Sequence, residues 1–226
     1  ETLDGLLKHN GIINDLSLVK NLIGINSFNN KISFKKASSL EAQISAISDD
    51  IAYNNHDIQD GIKAKMFNLN DLIEINFFKS IYNSHKDNIK KSNNNILIYQ
   101  IIRDSIDLMV KDLIKNTIKN IKINKISSLK DIFLYKNSIV CFSKKFIEIE
   151  KEVKFFLRTN MYNNKKVLIK NNQGKKIIKK LFSVIVNKPK KYLTSHQLKS
   201  DKHRAIADYI SGMTDRYAIN LYNDNK

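Results

Sequence analysis

Apolar residues recur along this chain three and four positions apart, the period of helices that each cover one face. Leu3, Leu6 and Leu7 make such a stripe within Thr2 to His9, and Asn10-Gly11 supplies a stop. Asp15 to Asn21 reads as a further turn or two, followed by a loop from Asn26 to Ser33. Ser38 and Glu41 have the spacing of a capping box. Beyond them Leu40, Ile44, Ile47, Ile51 and Ile58 predict a helix with a buried apolar face that stops at Asp60-Gly61. A helix from Leu69 to about Ser84 and an Asn-rich polar link from Lys86 to Asn95 come next.

A long helix then buries Ile98, Ile101, Ile102, Ser105, Ile106, Met109 and Leu113, with Arg103, Asp104, Asp107, Lys111 and Asp112 on its polar side. The tract from Asn116 to Lys130 is polar enough to be expected exposed and mobile. Phe146, Ile149, Val153, Phe156 and Leu157 predict a helix over Ser143 to Arg158. Tyr162 to Ile169 reads as extended, with Gly174 interrupting before a helix from Lys175 to Val186 that Pro189 ends. A last helix is expected from about Lys202 to Tyr222. Little alternation of strand type and no fixed repeat occur, so the expected class is all-α.

At 226 residues the chain can bury a substantial core, and the lone Cys141 excludes an intrachain disulfide. A reducing, cytoplasmic setting is the expectation. The longest apolar runs fall far short of the roughly 20 residues of a membrane span, so no membrane partner is expected. The formal charge of +17 favours anionic partners such as nucleotides or nucleic acid. Coding bias toward Lys, Asn and Ile produces the same excess on solvated faces, and Lys lacks the bidentate fork of Arg.

Candidate chemistry concentrates on the helix that begins near Leu40. Asp49, Tyr53 and Asp57 are spaced by four and project from one side of it. A carboxylate there can hold a divalent metal or activate water, a phenol can bind a phosphate oxygen, and a second carboxylate can accept from sugar hydroxyls. An ordinary solvated face would carry the same residue types. His9, His85, His196 and His203 have no compact metal spacing and read as surface or packing residues, while Met213 and Tyr217 read as packing residues on the last helix. Cys141 reads as a small core residue.

The run from Glu41 to Gly61, EAQISAISDDIAYNNHDIQDG, resembles the signature of bacterial deoxyguanosine triphosphate triphosphohydrolase-like proteins of the HD superfamily. Three other blocks agree in order: ETLDGLLKHNG at the start, FLRTNMY from Phe156, and IADYISGMTDRYA from Ile206. The resemblance implies an HD-type helical bundle, with residues 1–226 forming the C-terminal portion of a longer hydrolase domain. It also implies hydrolysis of dGTP or another deoxynucleoside triphosphate to deoxynucleoside and triphosphate, aided by Mn2+ or Mg2+.

By the same resemblance Asp49 is the catalytic metal ligand, while Tyr53 and Lys8 contact phosphate. Asp57 reads the sugar 3′-hydroxyl, and Arg216 belongs to the substrate pocket in a role left open. The family's His and His-Asp metal motifs precede the residues present here, and His56-Asp57 does not replace them. One monodentate carboxylate makes no strong divalent site. Homo-oligomerisation is a further implied property. The alternative is a noncatalytic helical module that binds nucleotide or single-stranded nucleic acid through its basic surface.

Overall fold

The computed structural model describes residues 2–15, 17, 34–89, 94–199 and 201–225. The expected loop from Asn26 to Ser33, and the expected turns beyond Ser17, lie outside the described residues. Among the described residues every regular element is helical, as the periodicity predicts. The chain divides into two compact units, residues 1–161 and 162–226.

The first unit contains α1 (Thr2–Leu7), α2 (Leu40–Lys63), α3 (Leu69–Leu72), α4 (Asn76–Ile89), α5 (Asn94–Ile123), α6 (Leu129–Leu134) and α7 (Lys144–Leu157). Its core gathers Ile51 and Ile58 of α2, Phe77 and Phe78 of α4, Ile101 and Met109 of α5, and Val153 and Leu157 of α7. The expected stripe of α5 is covered, including Ser105, whose hydroxyl has no hydrogen-bond partner among the described residues.

Ile44 departs from its expected place in the core and is 47% exposed. Two other local expectations for α2 also change. Its N-cap is Ser39, whose hydroxyl accepts from the Ala42 amide at 3.4 Å. Buried Ser38 instead offers its carbonyl to Gln43. At the far end the helix does not stop at Gly61 but runs to Lys63, and Lys65 makes the reversal with φ +54°. Gly61 admits the Phe67 ring: a Cβ built there would lie 2.2 Å from it.

The helix expected from Leu69 to Ser84 is two helices. Asn68 and Asp71 form a reciprocal capping box that starts α3, which ends at Leu72, and α4 starts afresh at Asn76. The expected Lys86–Asn95 link is shortened, since α4 runs to Ile89 and α5 begins at Asn94. The polar tract after Asn116 is likewise ordered by α5, which continues to Ile123. Its amides have work in the interior. Asn116 Nδ2 donates to the carbonyls of Cys141 and Phe142 at 2.8 and 3.1 Å, and Asn120 Nδ2 donates to that of Ile139 at 2.9 Å.

These bonds hold residues 138–143, a non-helical segment with Ile139, Val140 and Phe142 buried. Gln43 Oε1 accepts from the Ser138 hydroxyl at 2.8 Å and from the amides of Ile139 and Val140 at 2.9 and 3.2 Å, while its Nε2 donates to Ser38 at 2.9 Å. Asp112 accepts from the Ser143 amide and hydroxyl at 2.8 and 2.7 Å, fixing the start of α7. A buried backbone segment without helix or sheet bonds needs such partners, because each unpaired donor carries a desolvation cost.

The second unit contains α8 (Lys165–Asn187), α9 (Lys202–Ser211) and α10 (Asp215–Asn223), with short 3-10 turns at Pro189–Lys191 and Gln197–Lys199. A single π-turn, Arg158–Tyr162, follows α7 where an extended segment is expected to begin. Asn164 then caps α8 by accepting from Lys166 at 3.0 Å. Gly174 lies inside α8, not before it, and a Cβ there would meet nothing within 4 Å. The last expected helix is divided at Gly212, after which Thr214 caps α10. Ile185, Leu193 and Ile206 form this unit's small core, with Met213 packed against it as expected.

Replacing Gln43 with Leu leaves the two buried amides of Ile139 and Val140 unpaired, while the Ser138 hydroxyl keeps the Val140 carbonyl, and should cost about 2–4 kcal/mol in urea unfolding. A loss below about 0.5 kcal/mol would contradict the assignment. Alanine at the two helical glycines should act in opposite senses. Gly61→Ala should destabilise by about 1–3 kcal/mol through overpacking, whereas Gly174→Ala should stabilise by about 0.5–1 kcal/mol.

Candidate functional site

Close contact between α1 and α2 brings the end of α1 beside Asp49. Gly5 permits it, since a Cβ at that position would lie 2.8 Å from the Cβ of Ala42. Beside the contact is a cleft of about 380 Å³ lined by Gly5, Leu6, His9, Ser39, Ala42 and Ser45. Its size lies within the usual range for small-molecule sites. A larger cleft of about 720 Å³ opens near the C-terminal end of α2, between Ile62, Phe67, Asn68, Tyr82 and Ile98, and none of the expected site residues lines it.

At the end of α1, Lys8 and His9 point to different partners. The Lys8 ammonium is buried and pairs with Asp4 Oδ1 at 2.5 Å. His9 Nε2 approaches Asp49 Oδ2 to 3.3 Å, with both side chains about half exposed. Asp49 begins the outward line of α2 that continues through Tyr53, which is 68% exposed, and partly buried Asp57. The first unit thus brings His9 to Asp49 and arrays Asp49, Tyr53 and Asp57 along one helix. Arg216 is exposed in the first turn of α10, in the second unit.

Buried amides back this outward line. Asn55 donates to the Ile51 carbonyl at 2.8 Å and approaches the Met109 sulfur at 3.5 Å. Asn54 Nδ2 and Asn55 Oδ1 are buried without a hydrogen-bond partner among the described residues. One residue along from Asp49, Asp50 receives Lys154 of α7 at 3.2 Å, and Lys154 also donates to Glu150 at 2.9 Å. The pair connects α7 to the helix that carries the outward carboxylates.

Neither His9 nor Lys154 was distinguished by its spacing. His9 had a sequence signal, its place beside Lys8 in the LLKHNG block, whereas contact with Asp49 needs the turn of α1 against α2. Cys141, expected in the core, is half-buried, and its sulfur lies 3.3 Å from Asn120 Nδ2. Tyr217, expected to pack, is 49% exposed, and its hydroxyl lies 3.4 Å from that of Tyr209. That hydrogen bond, with burial adding to it, pushes the Tyr209 phenol up to about 12.

Among the described residues no three His, Cys, Asp or Glu side chains gather in a group able to hold a metal ion. These residues therefore do not by themselves fit a divalent-cation centre, and Asp49 would supply at most one ligand of it.

A phosphohydrolase-associated domain matches residues 140–224. A deoxyguanosinetriphosphate triphosphohydrolase-like protein of Pelagibacter ubique (strain HTCC1062) is 75% identical over 221 residues, covering 98% of this chain and 60% of that protein. The similarity to that protein runs along nearly the whole of this chain. Proteins of the same name from Bartonella henselae and Leptospira interrogans are 34% and 36% identical over 98% of the chain, covering 58% and 57% of their own lengths. The chain thus spans about three fifths of the length of the curated relatives it matches. No helix among the described residues is long and apolar enough to cross a membrane.

For Lys154, burial acts to lower the pKa, but the hydrogen bond and charge of Glu150, then those of Asp50, outweigh it and leave the ammonium above its ordinary value. Its stabilisation is complete below the unfolded-chain value of about 10.4 and is lost as pH rises through the higher folded value. The stability difference between this protein and its Lys154→Met variant should therefore hold from pH 7 to about 10 and shrink only above that. Thermal unfolding across the range tests it, and a difference that vanishes below about pH 9 would contradict the pairing.

Proposed function

We propose that the chain forms part of a hydrolase that converts dGTP, or another deoxynucleoside triphosphate, to deoxynucleoside and triphosphate. The observation carrying this reading is the 75% identity to a triphosphohydrolase-like protein over 98% of the chain. In the reaction water adds to the α-phosphorus and gives up a proton, the bond to the sugar 5′-oxygen breaks, the 5′-oxygen takes up a proton to become a hydroxyl, and triphosphate leaves as an anion.

The side chains divide this work along α2. Asp49 would supply one carboxylate ligand to a divalent cation, Mn2+ or Mg2+, and the described residues offer no group of three that could hold it. Such an ion, when bound, offsets negative charge on phosphoryl oxygens. His9, 3.3 Å from Asp49, holds that carboxylate in orientation. Tyr53 extends its hydroxyl beyond the helix toward phosphate oxygen, and Asp57, two turns from Asp49, accepts from the sugar 3′-hydroxyl. Lys8 reaches phosphate only when its pair with Asp4 opens. Arg216 is assigned to substrate binding by the resemblance alone. Homo-oligomeric assembly and a cytoplasmic setting belong to the same reading.

The competing reading, a noncatalytic module for nucleotide or single-stranded nucleic acid, is favoured by the charge of +17. Turnover decides between them. In the full-length protein Asp49→Ala should lower triphosphate release by about 10²-fold or more, and undiminished turnover would sink the role of Asp49. Asp57→Ala should instead reduce the preference for deoxynucleoside over 2′,3′-dideoxynucleoside triphosphates, which lack the 3′-hydroxyl, by about tenfold or more, the worth of a hydrogen bond to a charged group. Unaltered selectivity would remove Asp57 from sugar recognition.

A further inference from the structure

The excess of positive charge is not spread evenly. Residues 1–161 hold 24 Lys and Arg against 18 Asp and Glu, whereas residues 162–226 hold 15 against four Asp and no Glu. A coding bias toward Lys acts along the whole chain and does not account for acids being withheld from one unit. Within that unit, α8 carries seven Lys and no acidic residue.

The helix sorts those lysines. Leu181 and Ile185 are fully buried and define its inner side. At 3.6 residues per turn, Lys165, Lys176, Lys179 and Lys180 occupy the opposite side, flanked by Lys166 and Lys175. All six are exposed, and no ion pair with any of them occurs among the described residues. They extend over about 22 Å of helix axis. Like charges one turn apart, such as Lys175 with Lys179 and Lys176 with Lys180, oppose helix formation. A bound polyanion removes that repulsion.

We propose that the outward face of α8 binds double-stranded nucleic acid through its phosphates, without reading base sequence. A duplex presents about one negative charge per 1.7 Å of axis, a density that a row of lysines can meet along its length. Lys is a point charge suited to phosphate, and the face lacks the Arg fork used on base edges. It also lacks aromatic residues, the stacking platforms that favour single strands. A lipid surface would need an apolar face to insert; Leu181 and Ile185 are covered, and the exposed Leu168, Ile169 and Ile178 lie about 80° or more apart around α8 and form no single face. An acidic protein surface would find neither aromatic nor Arg anchors on this face.

Fluorescence anisotropy of the 226-residue chain with a labelled 20-base-pair duplex of mixed sequence tests the proposal. Binding should weaken with salt with a log–log slope of about −4 to −5, the value for five or so phosphate contacts. Lys175, Lys176, Lys179 and Lys180 changed together to Gln, which keeps helix propensity, should flatten the slope by about 3–4 and weaken binding at least tenfold at 0.1 M salt. The same charge removed from the first unit, at Lys115, Lys119, Lys122 and Lys125, should leave the slope within about one. Circular dichroism and thermal unfolding establish that each variant is folded.

Equal losses in the two quadruple variants would show that overall charge, not this face, governs binding. Tighter binding to a single strand of the same length, or to vesicles rich in anionic lipid with no duplex binding, would also overturn the proposal. Equal affinity for unrelated duplex sequences supports it.

Discussion

The first unit depends on how a stretch of irregular backbone, residues 138–143, is made tolerable inside a helical core. Ile139 is fully covered, so its amide and carbonyl have no solvent to fall back on. Gln43 takes the amides of Ile139 and Val140, Asn120 donates to the Ile139 carbonyl, and Asn116 donates to those of Cys141 and Phe142. Gln43 lies on α2 and the two Asn on α5, so pairing this backbone also fixes the two longest helices of the unit to it. Asp112 completes the arrangement by holding Ser143 at the start of α7.

That constraint carries through to chemistry because α2 is shared. Its inner residues Ile51 and Ile58 enter the core, while Asp49, Tyr53 and Asp57 are displayed on its other side at four-residue intervals. Two lateral contacts set the start of the display: α1 delivers His9 to Asp49, and α7 delivers Lys154 to Asp50. Neither pair contributes much stability, as exposed ion pairs in water generally do not. Their consequence is orientation. In the proposed reaction a carboxylate held from the side by an imidazole would need less reorganisation to act as a ligand than one that rotates freely.

The all-α class and the stripe of α5 were legible in the sequence, since a three-and-four period over long windows is a strong signal. So were the three outward residues of α2, whose spacing places them on one side of a helix. The boundaries were not. Gly61 and Gly174 read as breaks, but one is small to admit the Phe67 ring and the other is simply tolerated within a long helix. The polar stretch after Asn116 read as exposed because amide side chains ordinarily face water; here they serve a buried backbone 19 to 26 residues away in sequence. Cross-chain partners of this kind, like His9 with Asp49, leave no periodic trace.

Hydrogen exchange at the amides of Ile139 and Val140 tests most directly whether side-chain pairing of this segment underlies the unit. Protection close to that of the α5 interior, lost only with global unfolding, is the expected result. Rapid exchange at both amides while α2 and α5 stay protected would show that the segment opens on its own and that the helices do not depend on it.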